Sequence, residues 1–185
     1  MFGTMAGATS GLVGPFPPGA DPEEYDKVRR RVLWTMPSGL YVIGSRVDGR
    51  RNLMTANWVT QVAFDPKLVA VSVEKEALTA TLVGDSGAFS VSIVDRDDRA
   101  IVRRFVKPVE HDEDAGTLNG FSFHEATTGA PILDQALAYL DCEVRERLPV
   151  GDHILFVGEV VEARFQGNED SLPLRMEDTR MNYGG

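Results

Sequence analysis

Apolar and polar residues alternate from Asn52 to Phe64. Met54, Ala56, Trp58, Val62 and Phe64 hold even positions, and Thr55, Asn57 and Gln61 hold odd ones. This is the two-residue period of a half-buried strand with a separate polar face. Asp65-Pro66 ends the strand, because proline brings no amide donor to a ladder. A second strand follows, with Val69, Val71 and Val73 alternating against Ala70, Ser72 and Glu74, and it delivers Lys75 at its end. Spacing then changes to the helical period, with Leu78 and Leu82 sharing one face. Hydroxyls and an amide on one face, followed by a lysine at a helix start, suit a phosphorylated planar ligand.

The same patterns predict strands over residues 39–46, 53–63, 67–74, 87–94, 136–148 and 153–166, with Asp48-Gly49 as the hairpin between the first two. Short helices are predicted over 77–84 and 97–105. A longer helix from Pro22 to Trp34 is opened by Asp21 as cap and Pro22 at its first position, carries the stripe Tyr25, Val28 and Val32, and is closed by Pro37 and Gly39. Residues 106–120, with Glu110, Asp112, Glu113 and Asp114, read as a surface loop. Many short strands and few helices predict a mainly β chain closed into an antiparallel barrel, where closure removes exposed edges. Residues 1–21 are rich in Gly and Pro and lack the charged start and apolar core of a signal peptide. They read as a flexible or draping N-terminal arm, with 22–185 as one domain. No internal repeat is visible.

Composition narrows the function classes. The 185 residues carry a net charge of -9, which argues against a general nucleic-acid binder. The run Arg29-Arg30-Arg31 sits inside a predicted helix and reads as a solvated face. No apolar stretch is long enough to span a membrane. The single cysteine, Cys142, excludes an intrachain disulfide and fits a cytoplasmic protein. It alternates with Ala138, Leu140 and Val144 on the buried face of a strand, so it reads as core. There is no G-x-G-x-x-G after a strand, no Walker A loop and no G-x-S-x-G elbow. His111, His124 and His153 are too scattered for a zinc motif, so no metal site is expected.

The ordered set of motifs resembles the flavin reductase-like family, FMN-binding flavoproteins built on an antiparallel Greek-key split β-barrel with a few short flanking helices. The residues that carry the resemblance are Ser38-Gly39-Leu40-Tyr41-Val42-Ile43, Asn52-Leu53-Met54-Thr55-Ala56-Asn57, Asp65-Pro66-Lys67, and Val71-Ser72-Val73-Glu74-Lys75 with Thr79. Gly87-Ala88-Phe89-Ser90-Val91-Ser92 and Gly151-Asp152-His153 with Val157-Gly158-Glu159-Val160 continue it. Lys67 stands where the family often has a second proline. Ser92 stands where it often has asparagine, which puts a contact from that side chain in doubt.

The resemblance implies an oxidoreductase of the NAD(P)H-dependent flavin reductase type, with FMN as cofactor and NADH or NADPH as electron donor. An FMN electron carrier without nicotinamide activity, or a pyridoxamine-phosphate-oxidase-like relative, stays open. A flavin performs hydride chemistry itself, so the protein need only bind, orient and tune it. Ser72, Lys75 and Thr79 are implied at the phosphate, although Glu74-Lys75-Glu76 also reads as an ordinary charged strand end. Met54, Thr55, Ala56, Asn57, Trp58 and Val73 are implied around the ring and ribityl chain, with core or interface packing as the other reading of Asn57 and Trp58. His153 is the candidate catalytic residue, or else a hydrogen-bonded structural histidine. Tyr183, in a tail marked by Asn182 and two glycines, is implied near the flavin. A homodimer with flavin near the interface, and a partner monooxygenase or other electron acceptor, complete the expectation.

Overall fold

A computed structural model describes residues 12–181, which fall into two units, 12–37 and 38–181. In the first, α1 (Pro22–Leu33) begins where the Asp21 carboxylate accepts the Glu24 amide at 2.9 Å. Glu23 and Glu24 in its first turn and Arg30 and Arg31 in its last complement the helix dipole. The preceding segment runs along the helix. Phe16 meets Tyr25 edge-on at 6.3 Å, the Arg29 guanidinium lies over both rings, and Arg29 donates to the Val13 carbonyl. Val28 and Val32, two members of the predicted stripe, are exposed in this unit.

The second unit is built on an antiparallel sheet of β1 (Tyr41–Val47), β2 (Arg50–Ala56), β3 (Val59–Ala63), β4 (Leu68–Glu74), β5 (Ala88–Ile93), β10 (Ala138–Val150) and β11 (His153–Phe165). Their spatial order is β2-β1-β5-β10-β11-β4-β3. Helix α2 (Leu78–Ser86) follows β4 and ends at Gly87, whose φ of 70° provides the left-handed cap. A smaller sheet holds β6 (His111–Asp112), β7 (Thr117–Leu118), β8 (Phe121–Glu125) and β9 (Pro131–Leu133).

The predicted strand 53–63 is where the structure departs most from the pattern. It breaks at Asn57-Trp58 into β2 and β3, which lie at opposite ends of the sheet order. Seven flat strands would separate their outer members by roughly 28 Å at about 4.7 Å per step. The link from Ala56 to Val59 spans at most about 11 Å. The sheet therefore curls until its two edges approach each other at Asn57. No ladder joins β2 to β3 among the described residues, so the closure predicted from the pattern is not completed by hydrogen bonds. The reason is that one run of chain serves both edges, its first half pairing with β1 and its second with β4.

The remaining differences are local. Residues 97–105 form two 3-10 turns, Arg96–Asp98 and Ile101–Phe105, rather than one helix. Part of the predicted 106–120 loop is the β6–β7 hairpin. The hairpin left no pattern because strands of two residues are too short to show a period.

The central strands of the curled sheet, β1 and β5, are buried on both faces. The inner face of the sheet carries Ile43, Ala56, Val71, Val73, Phe89, Val91, Cys142 and Phe156, with Ala80 and Val83 of α2 packed against them. Its outer face meets Leu40, Val42, Leu53, Ile101, Val102, Phe105, Leu133 and Leu174. Gly44 is required where the small sheet crosses β1, since a Cβ there would run into the Pro131 carbonyl and the Ser90 hydroxyl. Among the described residues no helix is long and apolar enough to cross a membrane.

Candidate functional site

The break between β2 and β3 gathers polar groups from three elements. Asn57 is buried, and its Oδ1 has no hydrogen-bond partner among the described residues. The Trp58 indole, partly exposed, packs against the His153 imidazole at 4.9 Å between centroids. The Trp58 carbonyl accepts the Ser72 amide at 3.0 Å, which ties the break to β4. At the end of β4, the Lys75 amide donates to the Asp152 carbonyl at 3.0 Å and its ammonium donates to the Gly151 carbonyl. The β10–β11 turn thereby sits against the strand end that carries Lys75.

His153 is held from one side only. Its Nδ1 lies 2.6 Å from Asp152 Oδ1, and its Nε2 is buried with no partner among the described residues. The Asp152 carboxyl is held below the ordinary carboxylate range, first by its hydrogen bond to His153 and also by the charge of Lys75. A carboxylate at Nδ1 fixes a proton on that nitrogen, so Nε2 is an acceptor in neutral imidazole and a donor in the cation. Asn57 Oδ1 and His153 Nε2 are thus two buried polar atoms without a partner among the described residues, one on the residue before Trp58 and the other on the ring packed against it. Such atoms cost stability until something hydrogen-bonds to them, so the pair suits the polar edge of a bound ligand.

On the other side of the break, the Thr55 hydroxyl donates to the Val102 carbonyl at 2.5 Å, fastening the 3-10 turn Ile101–Phe105 to β2. The structure thus brings Asn57, Trp58, Ser72, Lys75 and His153 into one neighbourhood, with Thr55 just before it on β2. Met54, Ala56 and Val73 face inward with the inner core, so only their backbones are available to a ligand on the outer side. Thr79 is buried in the first turn of α2, where its hydroxyl accepts the Asn52 amide at 2.9 Å. Tyr183 lies outside the described residues.

Sequence reasoning passed over Asn52. Its signal is one of parity, since it shares the even positions of Met54 and Ala56 and is therefore a polar side chain on a core-facing row. A separate cavity of about 510 Å³ opens among Tyr41, Val59, Leu68, Val69, Leu140 and Val160, and none of the candidate residues lines it. Cys142 is buried among apolar side chains, and burial pushes its thiol up to about 12, which leaves it unreactive.

The model of the flavin reductase like domain family matches residues 33–185. A ferric-chelate reductase (NAD(P)H) of Archaeoglobus fulgidus is 34% identical over 127 residues, covering 68% of this chain and 74% of that protein. Diflavin flavoprotein A 1 of Synechocystis sp. is 29% identical over 140 residues, which is 75% of this chain, and the match spans 24% of that longer protein. Among solved structures, BorF, the flavin reductase component of a bacterial two-component tryptophan halogenase, superposes with a TM-score of 0.69 at 28% identity, covering 80% of this chain and 92% of that one.

Proposed function

The chain belongs to the flavin reductase-like family, and from that premise we propose that it binds FMN at the β2–β3 break and reduces it with NADH or NADPH. The observation that carries this reading is the pair of buried atoms without a partner among the described residues, Asn57 Oδ1 and His153 Nε2, with the His153 ring packed on Trp58. FMN, once bound, supplies the hydride chemistry. The chain's residues bind and orient it. Asn57 and His153 hydrogen-bond its polar edge, and the Trp58 indole shields one side from water. Lys75 and Ser72 bind the phosphate, helped by the first-turn amides of α2, which starts without a side-chain cap. Thr79 acts through Asn52 by holding that helix against β2. Backbone groups of Met54, Thr55, Ala56 and Val73 line the ring. His153, steadied by Asp152, holds or gives up a proton at Nε2 next to the reacting ring.

The curled sheet suits a split β-barrel, with residues 22–185 as the working domain behind an N-terminal arm. The edges left open at the break favour a homodimer in which a partner wall buries the ring. BorF is one component of a two-component system, and a partner monooxygenase or similar acceptor in the cytoplasm is the corresponding reading here. FMN is read as preferred over FAD, because Lys75, Ser72 and the α2 amides would together serve one phosphate.

The test is the visible spectrum of the purified protein, flavin titration with FMN and FAD, light scattering, and NAD(P)H oxidation with FMN present. Tighter binding of FAD than FMN overturns the cofactor choice, and a monomer that still holds flavin overturns the dimer. FMN binding without NAD(P)H oxidation moves the reading to an electron carrier.

A further inference from the structure

The 3-10 turn fastened to β2 presents the most basic stretch of unit 38–181. Ile101, Val102 and Phe105 are buried in the outer core, which forces Arg103 and Arg104 outward. Arg99 before the turn and Lys107 after it are also exposed, and no acidic residue lies between them. None of these four cations forms an ion pair among the described residues, whereas neighbouring Arg96 is held by Asp178 at 3.0 Å. In a chain with 19 basic and 28 acidic residues, four unpaired cations within residues 99–107 are a local reversal of sign.

The mount is well defined. Phe105 packs on Phe121 at 5.4 Å between centroids, the Arg104 guanidinium lies 5.9 Å over the same Phe121 ring, and Asn119 Nδ2 donates to the Arg104 carbonyl at 2.7 Å. The bond from Thr55 to Val102 places this mount two residues before Asn57. Lys75, by contrast, is anchored to the β10–β11 turn. Lys75 and the basic turn are therefore cationic positions carried on different elements, one at the end of β4 and one fastened to β2 just before the break. Lys75 and the first-turn amides of α2 already provide for the single phosphate of FMN.

We propose that Arg99, Arg103, Arg104 and Lys107 bind the phosphates of the nicotinamide dinucleotide that donates the hydride. This rests on the reading of the β2–β3 break as the flavin site, and it assigns the second cationic position to the donor. Arginine suits the task because its planar fork matches phosphate oxygens, and exposed cations without partners have no ion pair to break.

The test uses the full chain and the variant Arg99→Gln/Arg103→Gln. NADPH and NADH binding is measured by fluorescence titration at fixed ionic strength, without added flavin. In parallel, kcat/KM is measured for NADPH and for 1-benzyl-1,4-dihydronicotinamide, a donor with no phosphate. Charge-assisted contacts of this kind predict that dinucleotide affinity, and the ratio of the two kcat/KM values, fall about 10- to 100-fold. An unchanged ratio overturns the proposal, as does equal loss for both donors or a wild-type protein that binds no dinucleotide. FMN titration of the same samples separates the two claims. Loss of FMN binding in the wild type would remove the flavin reading, while the dinucleotide titration still decides this one.

Discussion

Replacing Lys75 with alanine separates a phosphate-binding lysine from an ordinary charged strand end. The ammonium has three donors, one of which is used by the Gly151 carbonyl, leaving two for a ligand. A charge-assisted hydrogen bond to phosphate contributes about 1.5–3 kcal/mol, and the exposed position of Lys75 favours the lower half of that range. Each 1.4 kcal/mol is tenfold in affinity, so FMN should bind roughly 10- to 30-fold more weakly to Lys75→Ala. Riboflavin, identical but for the phosphate, should not share this phosphate-specific loss. The assay is flavin fluorescence quenching with both ligands at one ionic strength, because exposed charges are screened by salt. Loss of the Gly151 contact adds a second effect. It loosens the turn that carries His153 and would weaken both flavins alike. Lys75→Arg restores a cation and should recover part of the FMN affinity without affecting riboflavin. Equal losses for FMN and riboflavin would refute the phosphate role and leave Lys75 as a fastener of the β10–β11 turn.

Three further outcomes test the fold around the site. Gly44→Ala drives a methyl group into the Pro131 carbonyl and disturbs the Ser90 hydroxyl that donates to it at 2.6 Å, so denaturant unfolding should show a loss of roughly 2–4 kcal/mol; wild-type stability would mean that the small sheet shifts freely. Asp141 is fully buried, and its carboxyl is pushed up first by desolvation and also by Glu162 across the ladder, with Thr128 donating to it in partial compensation. A raised folded-state pKa means this group's contribution is complete below its ordinary value of 3.8 and is lost as pH rises through the folded value. The stability of wild type relative to Asp141→Asn should therefore decline as pH rises from about 3.8, and a difference independent of pH would contradict it. Cys142, with its thiol at about 12, should resist maleimide at pH 8 in the native protein and react once denatured, as read by mass; rapid native labelling would contradict its buried placement.

Local periodicity by itself determined most of the elements. The alternation along 67–74 became β4, the pattern around Cys142 became the inner row of β10, and Asp21-Pro22 opened α1. These were legible because a two-residue or 3.6-residue period, a cap and a proline act over a few neighbours. The candidate site was legible in part for the same reason, since Ser72, Lys75 and His153 end up near one another through adjacent strands β4 and β11. The face on which each polar group lies was settled only by tertiary structure. Thr79 is implied at the phosphate by the resemblance, yet packing of α2 against β2 turns its hydroxyl inward to Asn52. The break at Asn57-Trp58 left no mark in the alternation of 53–63, because each half obeys its own period. It exists because the sheet curls and a single run of chain must pair with β1 on one side and β4 on the other. Curling is a property of seven strands together. So is the nearness of Asn57 to both edges, whereas the Trp58 and His153 rings, far apart in the chain, meet because β3 and β11 both pair with β4.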